Sequence, residues 1–257
     1  MKSALIFLNG YYDLRYLEFY KQEMEWGLEN NSSLICTDGG IRLFHALNET
    51  HGTQFVPDVL IGDLDSCEVS TEELVASGMH IVSEWVGKVD KDYTDGQLAV
   101  AYAIEECNAG GIIVYGGLPQ PDGYETDHFL GNLKLMRFGL HVVQKNANAN
   151  SGSTHPWKAE MRDALQTIYL VVSELSLVRK NEGLQRVSLF AEHANTRVEN
   201  SENLRWNLAG LCIDPDVTNA LRNELVQDAN SATIRLAKDS DPVYVIHNWY
   251  DMQRTHA

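Results

Sequence analysis

Positive charge is scarce in this chain: 20 lysines and arginines stand against 36 aspartates and glutamates, a formal charge of −16 over 257 residues. That balance argues against a nucleic-acid partner, because neutralising a phosphate backbone takes clustered Lys and Arg. Cysteine is equally sparse. Cys36, Cys67, Cys107 and Cys212 lie far apart with no paired spacing, which removes disulfide frameworks and thiolate zinc sites and leaves free thiols suited to a reducing cytoplasm. Long apolar runs are missing too. No stretch approaches the ~20 residues of a membrane span, and residues 1–8 pass into a glycine turn instead of forming an export leader. What remains is an ordinary globular composition, 44% apolar and 22% charged, with enough length for two modest domains.

The first half repeats a short apolar run, a Gly or Asp turn, and an amphipathic stretch, the pattern of βαβ units around a mostly parallel sheet. Ala4–Leu8, Leu34–Cys36, Val59–Ile61 and Gly111–Tyr115 read as strands, and Tyr16–Leu28, Ile41–Leu47 and Asp95–Glu106 as helices. Around Asn146–Ser153 the texture becomes small and polar, as in a linker. Beyond it, Thr167–Val172, Val187–Phe190, Leu204–Leu208, Ala232–Leu236 and Val243–His247 read as antiparallel strands. The expected fold is therefore an α/β N-terminal domain (1–145), an irregular connection (146–165) and a small all-β, sandwich-like C-terminal domain (166–257).

Chemistry concentrates at the carboxyl ends of the N-terminal strands, where open α/β sheets place ligands. In Gly62-Asp63-Leu64-Asp65-Ser66 two carboxylates, two residues apart after a strand, face one side of an extended segment. Magnesium takes such hard oxygen ligands together with substrate phosphates; turn formation is the competing role for these aspartates. Asp90-Lys91-Asp92-Tyr93-Thr94-Asp95 precedes a helix. There, helix amides and Lys91 suit phosphate, Asp92 or Asp95 suits the metal shell, and Thr94 or Asp95 suits an N-cap. Asp38-Gly39-Gly40 and Gly116-Gly117 are further turns of the same kind. Asp127-His128 with Asn132 opens another helix, with His128 readable as base, phosphate donor or packing residue.

In that order and spacing, Asp38-Gly39-Gly40, Pro57 to Ser66, Asp90 to Asp95 and Asp127-His128-Phe129-Leu130-Gly131-Asn132 resemble the thiamine pyrophosphokinase family. The resemblance implies an ATP-dependent thiamine diphosphokinase that uses Mg2+ and releases AMP. Asp63, Asp65 and Asp95 are then the catalytic and metal carboxylates. Asp38, Gly39, Gly40, Lys91, Asp92, Thr94, Asp127, His128 and Asn132 are assigned to ATP, and Asn223 and Trp206 to thiamine. It also implies a cytoplasmic homodimer in which the β domain of one copy helps hold thiamine for the other. Two departures stand out. Arg222 replaces the family serine before Asn223, and Glu125 occupies the position of an arginine before Asp127-His128. The alternatives these leave are a pyrophosphokinase for another heteroaromatic alcohol, such as a hydroxymethyl pterin, and a nucleotide- or thiamine-binding protein without turnover.

Overall fold

The computed structural model describes residues 2–62, 80–81, 93–119, 126–149 and 157–249. The chain divides into two units, Met1–Ala164 and Leu165–Ala257.

In the first unit, β1 (Ser3–Phe7), β2 (Ser33–Thr37), β3 (Val59–Ile61), β4 (His80–Ile81), β5 (Gly111–Tyr115) and β6 (Lys158–Arg162) pair in parallel. Their order is β6-β5-β1-β2-β3-β4. The chain moves outward from β1 to β4, then returns to the other side of β1 as β5. The gap between β1 and β5 is thus the topological switch point, where a doubly wound sheet opens a crevice at its carboxyl edge.

Both faces of the strands are apolar because both are covered. On one, Leu5, Phe7, Leu34, Leu60, Ile113 and Tyr115 join a cluster with Tyr20 and Met24 of α1 (Leu17–Glu29) and Phe44 of α2 (Ile41–His51). Phe7 stacks on Tyr115 at 5.0 Å and meets Phe44 edge-on at 5.0 Å. Residues of the alternate register, Ala4, Ile6, Ile35, Ile112 and Val114, are equally inaccessible. Two further helices, α3 (Asp95–Glu105) and α4 (Thr126–Ala149), pack on each other, Gly96 lying against Leu135 and Gly139 against Val100.

The second unit holds two antiparallel sheets. One orders β12 (Asn223–Glu224), β9 (Gln185–Ala191), β14 (Val243–Trp249) and β7 (Gln166–Val171). The other orders β11 (Cys212–Ile213), β10 (Thr196–Glu202), β13 (Ser231–Leu236) and β8 (Glu174–Val178). One core takes Val187, Leu189, Val243 and Val245 from the first sheet and Leu177, Val198, Ala232 and Ile234 from the second.

Three expectations are corrected. Residues 146–149 continue α4, because a long helix extends at low cost through alanine-rich sequence once nucleated. Lys158–Arg162 is a strand, with Ala159 and Met161 buried and Ile112↔Ala159 in register with β5. The run Leu204–Leu208 is not a strand: Leu204 alone bridges Leu225. Ser201 Oγ accepts the Leu208 amide at 2.8 Å, and Asn207 Oδ1 accepts the Ala209 amide at 2.8 Å. Side chains thereby capture backbone donors that a ladder would need. Among the described residues no helix is long and apolar enough to cross a membrane. Cys36, Cys107 and Cys212 are free thiols, and Cys67 lies outside the described residues.

Candidate active site

A cleft of about 510 Å³ opens in the first unit at the switch point, within the size range of small-ligand sites. Its floor is the turn after β1, Leu8-Asn9-Gly10, and the turn after β5, Gly116-Gly117. The two turns are tied together, since the Leu8 amide donates to the Tyr115 carbonyl at 3.0 Å and the Tyr12 hydroxyl donates to the Leu8 carbonyl at 2.7 Å. Gly116 has φ +73°, and a β-carbon there would meet the Tyr12 hydroxyl at 2.6 Å. The chain therefore needs glycine at the point where its backbone faces the cleft.

From β2 comes Asp38, buried, with φ +36°, opening a short 3-10 turn (Asp38–Gly40) that runs into α2. Aspartate is one of the few residues that tolerates this left-handed backbone. Asp38 lines the cleft with its neighbour Thr37, whose Oγ1 accepts the Asn9 amide at 3.2 Å. Gly39 and Gly40 lie buried behind it, and Gly39 packs on the Asn9 side chain.

Helix α3 delivers Thr94 and Asp95 to the same space. Thr94 is its N-cap in a full capping box: Thr94 Oγ1 accepts the Gln97 amide at 3.3 Å, and Gln97 Oε1 accepts the Thr94 amide at 3.0 Å. This reciprocal arrangement satisfies two helix-end donors and fixes where Asp95 begins the first turn. From α4 come Asp127, His128 and Asn132. Asn132 Nδ2 donates to the Gly117 carbonyl at 3.1 Å, pinning the β5 turn to the helix.

Of the residues assigned to ATP and metal by sequence, Asp38, Thr94, Asp95, Asp127, His128 and Asn132 share this cleft. Asp63, Asp65, Lys91 and Asp92 lie outside the described residues, as does Glu125. Asp38 and Asp95 are hard oxygen donors of the kind magnesium accepts, and that ion needs only one or two carboxylates beside substrate phosphates. Among the described residues no group of three or more His, Cys, Asp or Glu side chains is placed to hold a metal. Sequence reasoning passed over Asn9, Thr37, Gln97 and Lys134, which also line the cleft. Asn9-Gly10 was detectable as one more polar turn after an apolar strand, and Thr94-x-x-Gln97 as a capping-box signature.

The two residues assigned to thiamine belong to the second unit. Trp206 is 51% exposed, with the Arg205 guanidinium 4.7 Å from its ring centre. Asn223 is buried and turned onto the Trp206 backbone: Oδ1 accepts its amide at 3.1 Å and Nδ2 donates to its carbonyl at 2.7 Å.

Residues 25–148, just under half of the chain, match the family model of the thiamin pyrophosphokinase catalytic domain. Among curated proteins none matches the chain. In fold it is similar to the crystal structure of a thiamine pyrophosphokinase from Bacillus subtilis, with a TM-score of 0.67 at 20% identity over 98% of this chain and 100% of that one. The yeast thiamin pyrophosphokinase aligns with a TM-score of 0.67 at 15% identity, covering 97% of this chain and 86% of its own. The enzyme from Candida albicans gives 0.66 at 12% identity, over 96% and 90%. At these identities the three structures speak for the fold, and the family model speaks for the segment that supplies the cleft lining beyond Leu8-Asn9-Gly10. Over residues 25–148 this chain is similar to the catalytic domain of thiamin pyrophosphokinases.

Proposed function

We propose that the chain transfers the terminal pyrophosphate of ATP to the hydroxyethyl oxygen of thiamine, giving thiamine diphosphate and AMP. The observation that carries this reading is the convergence of Asp38, Thr94, Asp95, Asp127 and Asn132 on one cleft at the switch point, inside the family-matched segment.

ATP lies along the cleft with its phosphates toward the first turns of α3 and α4, whose backbone amides favour anions. The thiamine hydroxyl oxygen attacks the β phosphorus in line. The bond from that phosphorus to the oxygen bridging it to the α phosphorus breaks, AMP departs with that oxygen, and the hydroxyl proton passes to solvent. Little covalent work falls to the protein, so its contribution is positioning and charge stabilisation. Asn132 keeps the Gly116-Gly117 turn in place for close backbone approach. The Thr94 hydroxyl accepts within the capping box and offers its proton to a phosphate oxygen, as Lys91 offers its ammonium. Asp63, Asp65 and Asp95 hold magnesium, with Asp92 in support; when bound, the ion neutralises charge spreading over the phosphoryl oxygens.

The second unit, read as a β-sandwich closing on one core, recognises the acceptor. Trp206 offers an exposed ring face to a heteroaromatic ring, and Asn223 holds that ring's backbone in place. The working form is a cytoplasmic homodimer in which each copy's Trp206 serves its partner's cleft.

The test is to incubate the full chain with MgCl2, ATP and either thiamine or a hydroxymethyl pterin, and to measure AMP. Thiamine-dependent AMP together with thiamine diphosphate supports the reading. AMP with the pterin alone reassigns the acceptor, and no AMP with either contradicts pyrophosphoryl transfer.

A further inference from the structure

The lining of the cleft poses an electrostatic problem. Asp38, Asp95 and Asp127 all contribute to it, and a triphosphate brings further negative charge to the same space. Like charges at this range oppose binding unless cations stand among them. Among the described residues Lys134 is the one lysine or arginine that lines the cleft. It sits two turns into α4, at i+7 from Asp127 and i+3 from Gly131, so the three share a helix face. All three line the cleft. Side chains on a helix generally lean toward its N-terminus, and for Lys134, which is exposed, that direction is the end of α4 assigned to the phosphates under the proposed function.

We infer that Lys134 is a nucleotide-binding residue that recognises the triphosphate of ATP and makes the cleft discriminate ATP from adenosine. This rests on the cleft being the nucleotide site. The ammonium acts as a point charge on the phosphates, so its contribution weakens as salt screens it. It binds the donor and is not asked to move a proton.

The experiment measures equilibrium binding of ATP, inorganic tripolyphosphate and adenosine to the full chain in constant MgCl2, using wild type, Lys134→Met and Lys134→Arg. Methionine keeps the apolar stem and removes the charge. Lys134→Met should weaken ATP and tripolyphosphate about fivefold or more, as for a charge-assisted contact at a cleft rim. Adenosine binding should stay unchanged, Lys134→Arg should recover most of the loss, and the wild-type advantage should shrink at high salt. Equal affinity of wild type and Lys134→Met for ATP overturns the inference, as does an equal loss for adenosine. A wild type that binds neither ATP nor tripolyphosphate overturns both this inference and the proposed function. Binding with the expected Lys134 dependence but no AMP with thiamine overturns the reaction alone and leaves the Lys134 assignment supported.

Discussion

The carboxylate of Asp38 occupies the space into which a β-carbon on Gly62 would project. Gly62 has φ +144°, a backbone region open essentially to glycine. It stands immediately before Asp63, so the buried carboxylate of one strand end is packed against the backbone that leads to the proposed metal ligands of the next. Gly62→Ala meets both penalties at once. It should lose roughly 1–3 kcal/mol of stability, read by urea unfolding, and lower AMP formation. Wild-type stability and rate would show that the contact is slack.

The capping box at Thr94 makes a separable prediction. Thr94→Ala should cost about 1 kcal/mol in unfolding free energy through the lost N-cap, whereas Thr94→Ser should retain it. A Thr94→Ser protein as unstable as Thr94→Ala would mean that the methyl group, not the hydroxyl, matters.

Asn223 spends its amide on the Trp206 backbone at 3.1 and 2.7 Å. Asn223→Ala should therefore raise KM for thiamine about tenfold by releasing the ring's mount, a loss on the scale of a buried hydrogen-bonded group. KM for ATP should hardly move. Steady-state kinetics with each substrate varied separately checks this, and an equal rise in both KM values would point to general unfolding of the unit.

His247 is wholly buried, with Nε2 2.9 Å from Gln185 Oε1. Gln185 Oε1 is an acceptor, so Nε2 carries the proton of a neutral ring. Burial, with help from Lys180 and Arg179, lowers its pKa from 6.5 to about 4. Because the folded value is depressed, the neutral ring stabilises the fold fully above pH 6.5, and that contribution is lost as pH falls through about 4. Between those values the unfolded chain binds about one more proton at this site, so stability should change by about 1.4 kcal/mol per pH unit from His247. His247→Gln should remove that share of the slope in urea titrations from pH 6.5 to 4. An unchanged slope would assign the acid sensitivity to other groups.

Much of the first unit was readable because its strands, buried on both faces, are plain apolar runs ending in Gly and Asp turns. That made Asp38, Asp95 and Asp127 visible as strand-end and helix-start residues. Lys134 was not visible this way: it lies two turns inside a helix, and only the fold shows that this helix face borders the turns after β1 and β5. Leu204–Leu208 misled because alternation marks a strand only when backbone donors are left for a ladder, and Ser201 and Asn207 had taken them. Asn223 is singled out in the sequence only by the family resemblance, and its orientation onto Trp206, 17 residues away, depends on β12 and the turn after β10 lying together. Lys158–Arg162 was hidden by its charged alternate positions, a pattern that identifies a strand only once β5 is known to be its neighbour.

The proposed magnesium-dependent transfer depends most directly on Asp95 acting in this cleft. Thiamine-dependent AMP formation should be measured at saturating ATP for wild type and Asp95→Asn, with thermal melts of both proteins. The expected result is turnover in the wild type and a loss of roughly 10²-fold or more in Asp95→Asn with an unchanged melting temperature. Equal turnover in the two proteins, or no thiamine-dependent AMP from the wild type, would contradict it.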